Sequence, residues 1–346
     1  MSWAWHRAWA DSAAPESAAA GQAIVLYGAE GRVEAILPVR LRSIRFRRLP
    51  LEALTWAVGD TGCPDHLDVA AAPDADFGAL VAGLESLPWH LLRLGNLAAD
   101  APNHMKLQRE LERRGFAVQR RSLWRAPYLE LPESWDDYLA GQSRNRRQTL
   151  KRKERKLRRE HEVRVLDYGP ERLEEGWRRL RALHELRWDG AGAFQDPEVV
   201  ALHRRFTAEL ARRGALWLSC LEVDDRPTAA WYGFPYRDTV YFYQSGRDPA
   251  YDRQSVGDIL MAAMIRRAIE RGYRRFDFLR GEESYKWRWT RTARTLEELV
   301  VFRPTLRGGC LRALDWTGRL RERLRSRGSP NGSEPAFPHE EQDDDA

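Results

Sequence analysis

Residues 241–279, YFYQSGRDPAYDRQSVGDILMAAMIRRAIERGYRRFDFL, constrain the fold more than any other stretch of the chain. Val256, Ile259, Leu260, Ala263, Met264 and Ala268 recur at the i, i+3, i+4, i+7 spacing of a helix with one apolar face. TVYFYQSG before it and RFDFLRG after it read as strands. A one-faced helix between two strands must bury that face on a sheet, so this half of the chain is α/β.

The neighbouring segments extend the pattern. Helices are expected near Leu173–Arg187 and Pro197–Arg213, followed by strands ALWLSCLEV, PTAAWYGFPY and TVYFYQSG. After the helix from about Val256 to Arg271 come RFDFLRG, a short helix in EESYKWRW and a last strand, TLEELVVF. Upstream, AIVLYG and RVEAILPVRLRS read as a hairpin turned at Gly28–Gly31, with short strands near Thr55–Val58 and His66–Ala70. Helices near Asp74–Leu87 and Asn103–Arg114 alternate with strands WHLLRLG and Leu123–Leu131. Ser134 is placed as the N-cap of a helix that runs on through SRNRRQTLKRKERKLRRE until VRVLDY returns to strand. The expected units are 1–133, a basic connecting helix 134–161, 162–304, an Arg-rich helix 305–328 and a disordered acidic tail 329–346.

Charge is segregated along the chain. Residues 144–159 hold ten Lys or Arg against one Glu, while residues 331–346 hold six acids and no Lys or Arg. The net charge of +6 therefore belongs to one segment and is no general argument for nucleic-acid binding. That segment reads either as a solvated linker or as a surface for an anionic partner such as tRNA, a nucleotide-sugar or lipid-linked substrate, or a lipid surface. It has little aromatic interleaving, so base stacking is not expected. Cys63, Cys220 and Cys310 are few and scattered, which suits free thiols in a reducing cytosol, and no Cys/His spacing calls for a metal. The longest apolar run, Ile259–Ile265, falls far short of the roughly 20 residues of a membrane span. No signal peptide is read at the N-terminus, so a cytoplasmic location is expected.

The loop before the Val256 helix has two readings. Asp252 or Ser255 caps the helix, or the free N–H groups and dipole of its first turn receive an anion. In the second reading, Arg253, Gln254, Ser255, Val256 and Gly257 form the binding segment, Gly257 admitting close approach and Arg253 adding charge.

The order of elements over Glu162–Pro304 resembles the GNAT acyltransferase superfamily. Gln254 and Gly257 match the first two positions of that superfamily's pyrophosphate-binding signature, Gln/Arg-x-x-Gly-x-Gly/Ala. Ile259 departs from the third, and Asp258 places a negative charge where phosphate should sit. SRNRRQTLKRKERKL, LHELRWDGAGAF, YFYQSGRDPAYDRQSVGDILM and FDFLRGEESYKWRW look, in order, like the CelD/BcsL-type branch associated with exopolysaccharide synthesis. That branch is similar in architecture to Fem-type aminoacyl transferases, which have two GNAT-like domains. The resemblance implies a tandem GNAT-like α/β fold, mixed central sheets flanked by helices, with 1–133 a degenerate first copy. It implies an N- or O-acetyltransferase using acetyl-CoA on a small-molecule or lipid-linked sugar acceptor. Fem-type use of aminoacyl-tRNA and a catalytically silent binding scaffold are the alternatives.

Acyl transfer needs a base, a proton donor for the leaving group and stabilisation of an oxyanion. Asp277, on the strand RFDFL, is either that base with a raised pKa or a structural partner for an arginine. Tyr285 stands where many GNAT enzymes keep a tyrosine acid; otherwise it packs. Lys286 matches a charge-stabilising lysine of the Fem-type relatives, or lies on the surface. His184 and His203, on helices before the sheet, are either bases or structural. Asp248 is expected to fix the turn before Pro249.

Overall fold

A computed structural model describes residues 3–13, 21–46, 49–59, 62, 64–188 and 192–314. The expected acidic tail and Cys63 lie outside these residues, as does the Arg-rich helix beyond the helical stretch 306–314.

Among the described residues, twelve strands form one sheet. The first six are β1 (Gly21–Tyr27), β2 (Val33–Phe46), β3 (Leu49–Trp56), β4 (Ala70–Ala71), β5 (Leu91–Ala98) and β6 (Ala117–Glu130). The rest are β7 (Val163–Asp167), β8 (Trp217–Val223), β9 (Arg226–Tyr236), β10 (Thr239–Arg247), β11 (Arg275–Asp277) and β12 (Thr292–Phe302). Their spatial order is β1-β2-β3-β5-β12-β6-β11-β10-β9-β8-β7, with β4 on β2. The helices are α1 (Trp3–Ala10), α2 (Phe77–Glu85), α3 (Pro102–Arg113), α4 (Trp135–Ala140), α5 (Arg144–Glu160), α6 (Leu173–Trp188), α7 (Pro197–Arg212) and α8 (Val256–Glu270). None among the described residues is long and apolar enough to cross a membrane.

The Val256 helix packs as its stripe requires. Val256, Ile259, Leu260, Met264 and Ala268 are buried with Trp231, Phe242 and Phe276 of the sheet. Strand β8 is buried at every position, with both faces covered. On the opposite face, α6 presses so closely on β10 that a Cβ at Gly246 would come within 2.3 Å of the His184 backbone nitrogen. A second core fills the N-terminal half, and Leu202, Phe206 and Leu210 of α7 join it beside Trp5 and Trp9 of α1.

Two expectations change. The strand expected near His66–Ala70 is a single bridge, Leu67 to Leu97, and the two-residue β4. The helix expected from Ser134 through the basic segment is two helices. Ser134 caps α4, with its Oγ accepting from the Asp137 N–H at 3.1 Å, and Ser143 restarts the chain as the cap of α5. Gly141 and Gln142 separate them, because a second capping serine offers the backbone a new start. The sheet runs on across residues 133 and 162. Strand β12 enters between β5 and β6, pairing Leu296 with Ala98 on one side and with Trp124 on the other.

The parallel pair β10 and β11 sets the functional geometry. The two strands pair only through Thr239–Tyr241 and Arg275–Asp277. Beyond that, β10 shifts register against β9 between Phe242 and Gln244 and continues to Arg247. After β11 the chain turns away through Leu279, at φ 57°. The sheet therefore opens at the carboxyl ends of two parallel strands, where α/β folds place ligands.

Candidate active site

One cleft, about 410 Å³, lies at the start of α8. Ser255 occupies the N-cap position at φ 58°, but its side chain caps no backbone N–H. Its Oγ instead receives Lys153 Nζ of α5 at 2.5 Å. Asp252 is engaged by Arg247 at 2.7 Å. With no side-chain cap, the first turn of α8 faces the cleft. A Cβ added at Gly257 would meet nothing nearer than Arg247 Cδ at 3.5 Å, so the backbone there is open to a ligand.

Ser255, Val256 and Gly257 line this cleft. Arg253 does not; it is exposed and outside the lining. Gln254 is also outside the lining, and its Oε1 is buried without a hydrogen-bond partner. Cations come from elsewhere. Arg288 and Arg146 hold Asp258 at 3.1 and 3.3 Å, and Arg146 lies 4.5 Å over the Trp289 ring. The acid expected to repel phosphate is thus matched by two guanidinium groups. Asp248 fixes its turn as expected, accepting from the Ala250 N–H at 2.9 Å.

The second cleft, about 370 Å³, opens on the other side of Tyr285. His184 and Trp188 of α6, Tyr243 of β10 and Lys286 line it, and the N-terminal half contributes Asp65 and Trp124. Tyr285 and Arg187 line both clefts. Burial pushes the Tyr285 hydroxyl up to about 12. Burial, and then the nearby Arg187, press His184 down to about 4, so its imidazole is neutral. Lys286 is 3% exposed rather than a surface residue. Its Nζ donates to the carbonyls of Arg280 at 2.5 Å and Leu279 at 3.4 Å, and burial lowers its pKa. His203 lines neither cleft. It is fully buried between the hydroxyls of Tyr243, at 2.7 Å, and Tyr232, at 3.2 Å, with burial holding it near 3.

Asp277 requires the largest correction. It is 1% exposed, and its Oδ2 lies 3.2 Å from His66 Nε2 and 3.8 Å from Arg294 Nε. Burial alone would raise its pKa, but the charges of His66 and Arg294 outweigh that and hold it low. The residue is an ion-pair partner, not a base with a raised pKa. His66 shifts the opposite way: burial disfavours its charge, yet Asp277 holds the imidazole above its usual range.

Sequence reasoning missed Asp65. Its Oδ2 accepts from the Arg280 N–H at 2.8 Å, its Oδ1 has no hydrogen-bond partner, and burial raises its pKa. Arg280 also reaches Asn96 Oδ1 at 3.1 Å. Three non-glycine residues with left-handed backbone converge here, His66, Asn96 and Leu279, a conformation that costs energy and gathers at functional sites. The only local signal was an acid–histidine pair in the turn PDHLD.

Residues 144–287 match the acetyltransferase (GNAT) domain family. A search of curated proteins finds no match. Among solved structures, a conserved protein of unknown function from Bacteroides thetaiotaomicron is 12% identical, with a TM-score of 0.53 over 82% of this chain and 86% of that one. The C-terminal domain of a putative lysylphosphatidylglycerol synthetase from Agrobacterium fabrum is 12% identical, with a TM-score of 0.52 over 89% and 94%. FemX is 11% identical, with a TM-score of 0.51 over 85% and 90%. At such identities the likeness is one of fold, and it extends over both halves of the chain.

Proposed function

We propose that the protein transfers an acetyl group from acetyl-CoA to an amine or hydroxyl of a sugar or cell-envelope precursor in the cytoplasm. The observation that carries this reading is the meeting of two clefts at Tyr285, one ending on an uncapped helix N-terminus. Donor phosphates would sit on the first turn of α8, where N–H groups and dipole favour an anion. Lys153 and Arg288 add charge-assisted donors there. The thioester end would then lie against Tyr285. A hydroxyl pushed up to about 12 stays protonated at neutral pH and can give its proton to the departing thiolate. Asp65, made more basic by burial, would take the proton of the acceptor. Trp124, Trp188 and Tyr243 offer the apolar faces on which a sugar ring packs. The CelD/BcsL-like segments support an exopolysaccharide role.

The approach of α5 to the donor cleft favours a second reading, in which aminoacyl-tRNA is the donor. The fold shared with FemX and with the putative lysylphosphatidylglycerol synthetase domain suits it. Thermal unfolding with acetyl-CoA, CoA or tRNA separates the readings. Saturating ligand at about 100 times its dissociation constant stabilises by about 2.7 kcal/mol. Upward shifts with acetyl-CoA and CoA support the first reading, and a shift with tRNA alone supports the second. No shift with any of them sinks both and leaves a scaffold without catalysis.

A further inference from the structure

Five Arg or Lys side chains line the two clefts: Arg187, Arg247, Arg280, Lys286 and Arg288. Four of them hold a carboxylate. Arg247 holds Asp252 at 2.7 Å, Arg280 holds Asp65 at 3.5 Å, Lys286 holds Glu283 at 3.0 Å and Arg288 holds Asp258 at 3.1 Å. Arg187 alone has no carboxylate partner among the described residues. It donates to Ser245 Oγ and lies over the rings of Trp188 at 4.8 Å and Tyr285 at 4.9 Å. The two rings and the hydroxyl fix its plane without neutralising it. It also stands where the clefts meet. Among the described residues this partly buried charge is left without a carboxylate, so an anionic group entering the clefts is free to meet it.

We infer that Arg187 is a catalytic residue that receives the negative charge developing on the acyl oxygen during transfer. The inference rests on the acyl-transfer reading above. The acceptor's nitrogen or oxygen lone pair bonds to the thioester carbonyl carbon, and the carbonyl π pair moves onto oxygen, facing the N–H groups of Arg187. The acceptor's proton passes to the Asp65 carboxylate. When the carbonyl re-forms, the C–S bond breaks and its electron pair leaves with sulfur, which takes the Tyr285 proton. Transfer of the Asp65 proton to the tyrosinate through solvent restores both groups. A donor fixed in advance toward charge that appears only in the transition state acts on kcat more than on binding. A guanidinium that anchored a ground-state anion would act on affinity instead.

The test uses the full chain with Arg187→Gln and Arg187→Lys, acetyl-CoA as the donor probe and water as the acceptor. Calorimetry reads the Kd for acetyl-CoA, and thiol release reads turnover. In Arg187→Gln, Kd should stay within about threefold while thiol release falls about 100-fold or more, with part of the rate kept by Arg187→Lys. An unchanged rate, or affinity lost in proportion to rate, overturns the role. An independent readout is the His184 ring, followed by NMR. Removing an unneutralised Arg187 should raise its pKa above the wild-type value of about 4, and no rise would mean that the charge is already compensated. If the wild-type protein fails to bind acetyl-CoA, the thioester reading falls before Arg187 is changed, and the inference falls with it. The two failures are therefore distinct.

Discussion

At the scale of single residues, the site divides into groups a local pattern can announce and groups it cannot. The positions of Gly257 and Tyr285 in the fold were legible because their neighbours in sequence define a helix start and a strand end. The direction of the Asp277 shift was not, because His66 comes from a distant turn with no periodicity. The pair has a pH signature. Asp277, held low, stabilises the fold above the ordinary aspartate range, and that stability is lost as pH falls through its lowered pKa. His66, held high, stabilises below about 6.5 and loses that contribution as pH rises through its raised pKa. His66→Gln should cost about 3–5 kcal/mol near neutral pH by stranding a buried charge, and should flatten the alkaline decline in stability. Urea unfolding across the pH range checks both, and a wild-type-like curve would show that the pair contributes nothing. If the cleft at α8 takes the proposed donor, Gly257→Glu should abolish stabilisation by CoA while the protein keeps its fold, because the new side chain has room but carries the wrong charge. Unchanged CoA affinity would dissociate α8 from donor binding.

At the scale of elements, α5 was visible as a basic helix, but its task was not. Charges around every face conceal which of them meet something, and only tertiary packing selects. Leu150 and Leu157 fix the helix in the core of the C-terminal half, and that anchoring brings Lys153 and Arg146 to the start of α8. Lys153→Ala should weaken CoA binding about tenfold, the effect expected for one charge-assisted hydrogen bond, with the difference shrinking at raised salt. A loss that ignores salt would argue for altered packing instead. Leu150→Ala should cost about 2–5 kcal/mol and weaken CoA binding with the lysine still present, because it releases the helix rather than the contact. Calorimetric titration beside chemical denaturation separates these effects.

At the scale of the molecule, the alternation of helices and strands made the α/β class readable, but strand order was not. Nothing in TLEELVVF says that it lies between β5 and β6, since hydrophobic pattern specifies a buried strand and leaves its neighbours open. The placement has a test. A fragment of residues 1–133 lacks the strand between β5 and β6, so it should show no cooperative urea transition, whereas the full chain should. A sharp transition from the fragment would mean that the N-terminal half closes its own sheet.

The same placement imposes a timetable on synthesis. Domains commonly fold from the N-terminus as they leave the ribosome, at about 5–20 residues per second. Here the first half cannot close until residue 302 has emerged, on the order of ten to thirty seconds after its own last strand. Through that interval β5 and β6 present unpaired edges, the kind of surface on which nascent chains associate wrongly and which chaperones cover. The turn carrying Asp65 and His66 waits with them. Truncated products of interrupted translation would therefore have neither a finished first half nor a working site.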